Sequence, residues 1–147
     1  MDYSYSFRIS AAGMMAQKMR VEAATLNLAN MNVSAAPGTQ GYQPVTAVIR
    51  AMPTPFSIVL NGNSSNSAWQ LTLANAELVP QTGSTTRSAF EPGHPHADAA
   101  GMVTYPAVDS TQEMMTVMTA LRAYEANLEA LQTSRTMAAK ALEIGSP

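Results

Sequence analysis

Apolar residues recur in steps of three and four along residues 110–145, STQEMMTVMTALRAYEANLEALQTSRTMAAKALEIG. The positions are Met114, Val117, Leu121, Tyr124, Leu128, Leu131, Arg135, Ala138 and Leu142, and all but Arg135 are apolar. A 3-4 spacing kept over that distance predicts a helix that packs lengthwise on another helix. Ser110, three residues before Glu113, has the spacing of a capping box, and Pro106 stands just upstream. Lys140 falls in the last turns and Gly145 follows the seam, as a helix end prefers. Such a helix is roughly 50 Å long at about 1.5 Å per residue, too long to bury its seam without a partner.

The same spacing returns near the N-terminus. Ile9, Ala12, Ala16, Met19, Ala23, Leu26, Asn30 and Val33 form one seam, and Met14, Val21 and Leu28 form a second. Two stripes are more than one neighbouring helix covers. Gly13 costs about 1 kcal/mol of helix propensity, so the first turns are expected to fray. The asparagines 27, 30 and 32 suit a helix end, since Asn tolerates the left-handed conformation, and Pro37-Gly38 closes the helical region. Two such helices at opposite ends of a chain predict a mainly α fold. Its simplest form is a coiled-coil hairpin of the N- and C-terminal helices with everything else inserted between. A bundle that hides both seams inside one monomer fits the periodicity equally well.

Residues 34–109 lose the helical period and fill with Gly, Pro, Ser, Thr and Asn. Tyr42 to Arg50 alternates, with Val45, Ala47 and Ile49 on one face; Phe56 to Leu60 and Trp69 to Leu73 are further short strand candidates. Asn61-Gly62 and the polar run Asn63 to Ser67 read as a hairpin tip, while Pro53 and Pro55 push their surroundings to an edge or loop. The expectation is a small, irregular β and loop insertion of two or three strands, without a large core. The organisation is thus 1–33, first helix; 34–109, insertion; 110–147, second helix.

Composition narrows the function. The net charge is -2 and 12% of the 147 residues are charged; eight scattered Lys and Arg make no basic patch, so no nucleic-acid partner is expected. Apolar residues make up 46% but aromatics only 6%, with 11 Met, a mixture that favours adaptable helix packing. There is no cysteine for a disulfide, thiol nucleophile or thiolate metal site. No apolar run approaches the ~18 residues of a membrane span. The opening MDYSYSFRIS lacks the basic and apolar regions of a cleaved signal peptide.

One cluster resembles a chemical site. His94, His96 and Asp98 in EPGHPHAD could hold a divalent metal, and a metal-dependent enzyme is the competing functional class. A turn that orders the approach to the last helix accounts for the same residues. No G-x-S-x-G elbow or Gly-rich phosphate loop is present. Glu113, Glu125 and Glu129 read as solvated or interfacial charge on the helix, Glu125 pairing at i,i+3 with Arg122 for tenths of a kcal/mol.

Several segments resemble the bacterial flagellar rod and hook proteins, the axial family. They are Ser10-Ala11-Ala12-Gly13-Met14, Gln17 to Met19, Asn27-Leu28-Ala29-Asn30, and Arg122 to Asn127. Ala12 stands where many members have Ser. Glu91 to Pro95 with Ala97-Asp98, Gly101, Tyr105-Pro106 and Ala141 to Gly145 resemble the family's short proximal-rod members. The resemblance implies a structural subunit, not an enzyme, with no cofactor. It implies paired terminal helices stacked into a hollow tube that transmits motor torque. Its partners are other rod proteins and copies of itself, with the inner-membrane ring and proteins beside the export gate as further neighbours. It also implies a place in the periplasmic rod of the basal body, reached unfolded through the flagellar type III apparatus. Seams rich in Ala and Met fit such export by keeping a free subunit from collapsing early. Another rod or hook protein of the same family is the nearest alternative. The expected assembly residues are Met14, Met19, Val21, Leu26 and Leu28 on the first helix, and Met114, Val117, Leu121, Tyr124, Leu128, Leu131 and Leu142 on the second.

Overall fold

The computed structural model describes residues 3–50, 75–83 and 86–144. Helix α1 spans Tyr3–Asn30 and helix α2 spans Ser110–Ile144. Between them the described residues form four strands: β1 (Val45–Arg50), β2 (Asn75–Pro80), β3 (Thr86–Phe90) and β4 (Met102–Pro106). The described residues are therefore mainly helical with two two-stranded sheets, β1-β2 and β3-β4, more β structure than the two or three strands expected. The candidate strands 56–60 and 69–73, the turn at 61–62, the tip at 63–67 and the prolines at 53 and 55 lie outside the described residues.

The two helices form where periodicity places them, but their ends differ from the sequence reading. α1 begins by Tyr3 and runs through Gly13 without interruption, because the chain beyond it extends the hydrogen-bonded ladder on both sides. It stops at Asn30, whose Nδ2 donates back to Leu26 O at 2.8 Å. No residue other than glycine has a positive φ among the described residues, so no asparagine ends the helix in a left-handed turn.

At the start of α2 the cap is Asp109 and not Ser110. Asp109 Oδ1 accepts from Thr111 N at 2.9 Å and Gln112 N at 3.4 Å, and Asp109 O accepts from Glu113 N at 3.0 Å. A carboxylate there satisfies orphan amides and meets the positive end of the helix dipole, worth about 1 kcal/mol. Glu113 is thereby released from the capping box to bond elsewhere.

The described residues cluster in two compact units. One takes in residues of Met1–Met19, Val48–Glu77 and Leu121–Pro147; the other, residues of Arg20–Ala47 and Leu78–Ala120. In the first unit, α1 and α2 approach closely at Gly13. A Cβ built there would stand 2.9 Å from Asn127 Oδ1 and 3.0 Å from its Cγ and Nδ2. Asn127 Nδ2 itself donates to Ala123 O at 2.8 Å. Two opposed effects therefore meet in Gly13→Ala: about 1 kcal/mol gained in helix propensity and about 1 kcal/mol lost as Asn127 swings off its bond. We expect Gly13→Ala to be near neutral alone and stabilising by about 1 kcal/mol in an Asn127→Ala background. Urea unfolding of the four proteins of this cycle measures the coupling; an equal gain in both backgrounds would mean the close approach limits nothing.

In the second unit, β3 and β4 pair antiparallel, Thr86 with Pro106 through Phe90 with Met102. Ala35 N donates to Thr104 O at 3.1 Å, so β4 lies between β3 and residue 35. Val103 is fully buried at its centre. Gly101 turns the chain into β4 with φ 75°, beside the Phe90 ring and Pro92, where a side chain would be strained and crowded. Among described residues the other buried apolar positions are the alanines Ala16, Ala23, Ala24 and Ala120 and the prolines Pro44 and Pro106. Such a core holds elements close together while burying little area per residue.

Candidate assembly surface

The side of α2 that is covered within the chain steps through Glu113, Thr116, Val117, Ala120, Ala123, Asn127, Leu131, Ser134 and Ala138. These are mostly small or polar. Of the apolar seam read from the sequence, Val117, Leu131 and Ala138 are half-buried, and Met114, Leu121, Tyr124, Leu128, Arg135 and Leu142 are exposed. The apolar stripe therefore lies beside the covered face and remains largely uncovered. Leu121 is 48% and Leu128 39% exposed. On α1, Met14, Met19, Val21 and Leu28 are half-buried, while Ile9 and Leu26 are exposed, as is Val33 just beyond its end.

Sequence reasoning misses other members of this surface. Met115, Met118 and Met137 on α2, Met15 on α1 and Phe90 at the end of β3 are also exposed large apolar side chains. Only Met115 carries a visible signal, as the second half of the Met114-Met115 doublet. Isolated exposed apolar residues are ordinary; a helix that carries them turn after turn is not.

Within the second unit the elements are tied by one buried side chain. Asn27, 2% exposed, uses its whole amide. Its Nδ2 donates to Val45 O and to Glu113 Oε1, both at 2.9 Å. Its Oδ1 accepts from Val45 N at 2.8 Å and from Tyr42 Oη at 2.9 Å. Burial pushes the Tyr42 phenol above its ordinary range, and the Glu113 carboxylate pushes the same way, so the hydroxyl keeps the proton it donates. The sequence places Asn27 at a helix end; in the fold it stands inside α1 and joins α1, β1 and α2.

The histidine cluster serves the connection between β3 and β4. Asp98 Oδ1 accepts from Ala100 N and Met102 N, both at 2.8 Å. His94 Nδ1 accepts from His96 N at 3.0 Å, and His96 Nδ1 is hydrogen-bonded to Ser34 Oγ at 2.9 Å. Tyr105 Oη donates to Glu91 Oε2 at 3.0 Å, while the Arg87 guanidinium lies 5.1 Å from the Tyr105 ring centroid and donates to Asn32 Oδ1 at 3.1 Å. These bonds fasten the 91–101 connection to itself and to residue 34. Among the described residues no three His, Asp or Glu side chains converge as a metal site, and no described helix is long and apolar enough to cross a membrane.

Residues 99–144 match the family model described as flagellar basal body rod FlgEFG protein C-terminal. The chain is 31% identical over 145 residues to the flagellar basal-body rod protein FlgC of Bacillus subtilis, covering 96% of this chain and 97% of the relative. It is 32% identical over 139 residues to FlgC of Salmonella typhimurium and 33% identical over 139 residues to FlgC of Escherichia coli O6:H1, covering 95% of each chain in both cases. Likeness of that level, carried along nearly the whole length rather than at a shared terminal motif alone, assigns the chain to the FlgC family of flagellar basal-body rod proteins.

Proposed function

We propose that this chain builds the proximal part of the rod and passes torque through contacts made by the uncovered faces of its two helices. As a member of its family it is a structural subunit of the flagellar basal-body rod, acting in motility, and not an enzyme. The observation that carries the rest is the exposed apolar stripe of α2, with Met114, Leu121, Tyr124, Leu128 and Leu142. Its neighbours in this reading are copies of the chain and other rod proteins. The inner-membrane ring and proteins beside the export gate lie at the base of the same assembly.

The terminal helices act as a paired hairpin. Support comes from the Gly13–Asn127 approach in one unit and the Asn27–Glu113 bond in the other. The helix positions buried within the chain are mainly alanine, which suits a subunit exported unfolded by the type III apparatus. Torque needs many contacts in register, and each large apolar side chain newly buried contributes about 1.5–3 kcal/mol before ordering costs. The test is a strain lacking this chain, complemented with an epitope-tagged copy. The tagged chain should copurify with isolated basal bodies at their inner-membrane end, and motility should vanish without it. A chain found only in the soluble fraction, or swimming in its absence, would overturn the proposal.

A further inference from the structure

Three methionines stand together on the first turns of α2: Met114, Met115 and Met118, each 57–64% exposed. One helical turn separates Met114 from Met118, and Met115 adjoins them, so the three thioethers share one side of the helix. The face covered within the chain runs instead through Glu113, Thr116, Val117 and Ala120. Leucine at these positions would supply the same apolar surface with a stiffer side chain. Methionine adds a sulfur that oxidants reach and that a reductase can restore.

We propose that Met114, Met115 and Met118 form an oxidation-sensitive modification site, at which conversion to sulfoxide blocks entry of a free subunit into the rod. The inference rests on the reading of α2's exposed stripe as an assembly surface. The oxidant class is a peroxide. A thioether lone pair attacks one oxygen of hydrogen peroxide, an S–O bond forms as the O–O bond breaks, and the departing hydroxide takes the proton of the transferred OH, leaving sulfoxide and water. The sulfur gives up two electrons and the peroxide receives them. The product is a strong hydrogen-bond acceptor where an apolar sulfur stood, and burying it against a neighbour without a donor is unfavourable. Sulfoxide reduction reverses the step, so the block is temporary.

The chain is tested in cells lacking their own copy, as wild type, as M114L/M115L/M118L and as M114Q/M115Q/M118Q, the glutamines mimicking the polar sulfoxide. Newly built basal bodies are counted with and without hydrogen peroxide, and sulfoxide is mapped by mass spectrometry in the unassembled pool. The glutamine variant should enter basal bodies at least ten-fold less than wild type. Peroxide should cut incorporation of wild type several-fold with sulfoxide at the three positions, and methionine sulfoxide reductase should restore it. The leucine variant, whatever its own level of incorporation, should be incorporated equally with and without peroxide. Equal incorporation of the glutamine and wild-type chains, or equal peroxide sensitivity of the leucine and wild-type chains, would overturn the inference. Leu128→Asp separates the two levels: if it still abolishes assembly, the assembly surface stands and only the oxidation site falls. If the Leu128→Asp and glutamine chains both assemble normally, the surface reading falls with it.

Discussion

Replacing Asn27 with leucine is expected to cost about 3 kcal/mol or more, a large share of the ~5–15 kcal/mol that holds an ordinary domain together. The two side chains share a branched skeleton, but leucine's methyls are bulkier than the amide, so crowding at this buried position adds to the loss. Four hydrogen bonds are lost at once: two to the backbone of Val45, one to Glu113 and one from Tyr42. The Val45 amide and carbonyl face a nearly closed site, and leaving such groups without partners costs about 1–3 kcal/mol each. Glu113 and Tyr42 are only half-buried and recover part of their loss to water. Urea unfolding at neutral pH measures the change; a loss under about 1 kcal/mol would mean that water replaces the amide throughout.

Asn27→Asp provides a sharper version of the same test. Oδ1 keeps its acceptor role, but the Nδ2 donor becomes a second carboxylate oxygen facing Glu113 and the Val45 carbonyl. Two carboxylates at one site hold a proton between them, so the folded pKa of the pair rises above its unfolded value. The stability is then fully present below the ordinary carboxylate range and lost as pH rises through the raised folded value. The variant should approach wild-type stability in acid and fall away toward neutrality, while Asn27→Leu stays uniformly weak. A flat profile for Asn27→Asp would place Glu113 too far from Asn27 to matter.

Both long helices are legible in the sequence because little besides a packed helix keeps a 3-4 spacing over eight or nine positions. Which side of each helix is covered is not legible. Periodicity weighs large apolar residues, whereas here the chain buries Ala16, Ala23, Ala24, Ala120 and Asn27 and leaves Leu121 and Leu128 outside. Small residues win those positions because they let backbones approach, a property that hydropathy does not score. The cap of α2 is misplaced for a related reason. Asp109 and Ser110 are both good N-caps, and the choice between them is made by Glu113, whose carboxylate goes to a residue 86 positions away. β2 and β3 escape notice because NAELVP and TRSAF barely alternate. What makes TRSAF a strand is the partner MVTYP, a non-local fact. The 91–101 connection, by contrast, is legible as a turn on the approach to the last helix, since Asp98 bonds backbone amides two and four residues on.

Leu128→Asp should abolish rod incorporation and swimming while leaving the isolated chain nearly as stable as wild type. Leu128 is 39% exposed, so much of it already faces water and its replacement removes only part of a leucine's buried area. Leucine to aspartate costs several tenths of a kcal/mol in helix propensity, and the new charge stands at i,i+3 from Glu125, adding a few tenths more. Against a neighbouring subunit the balance is different. A carboxylate closed into an apolar contact without a partner costs several kcal/mol, and the cost recurs at every copy along the rod. Assembly multiplies a defect that folding hardly registers. Gln132→Asp, a charge one turn further along on a polar exposed position, serves as the control and should swim. Leu128→Ala should fall between the two, because it shortens the contact without burying a charge. If Leu128→Asp swims as well as Gln132→Asp, the subunits meet through another face. If it fails because the free chain has unfolded, urea titration will show that directly.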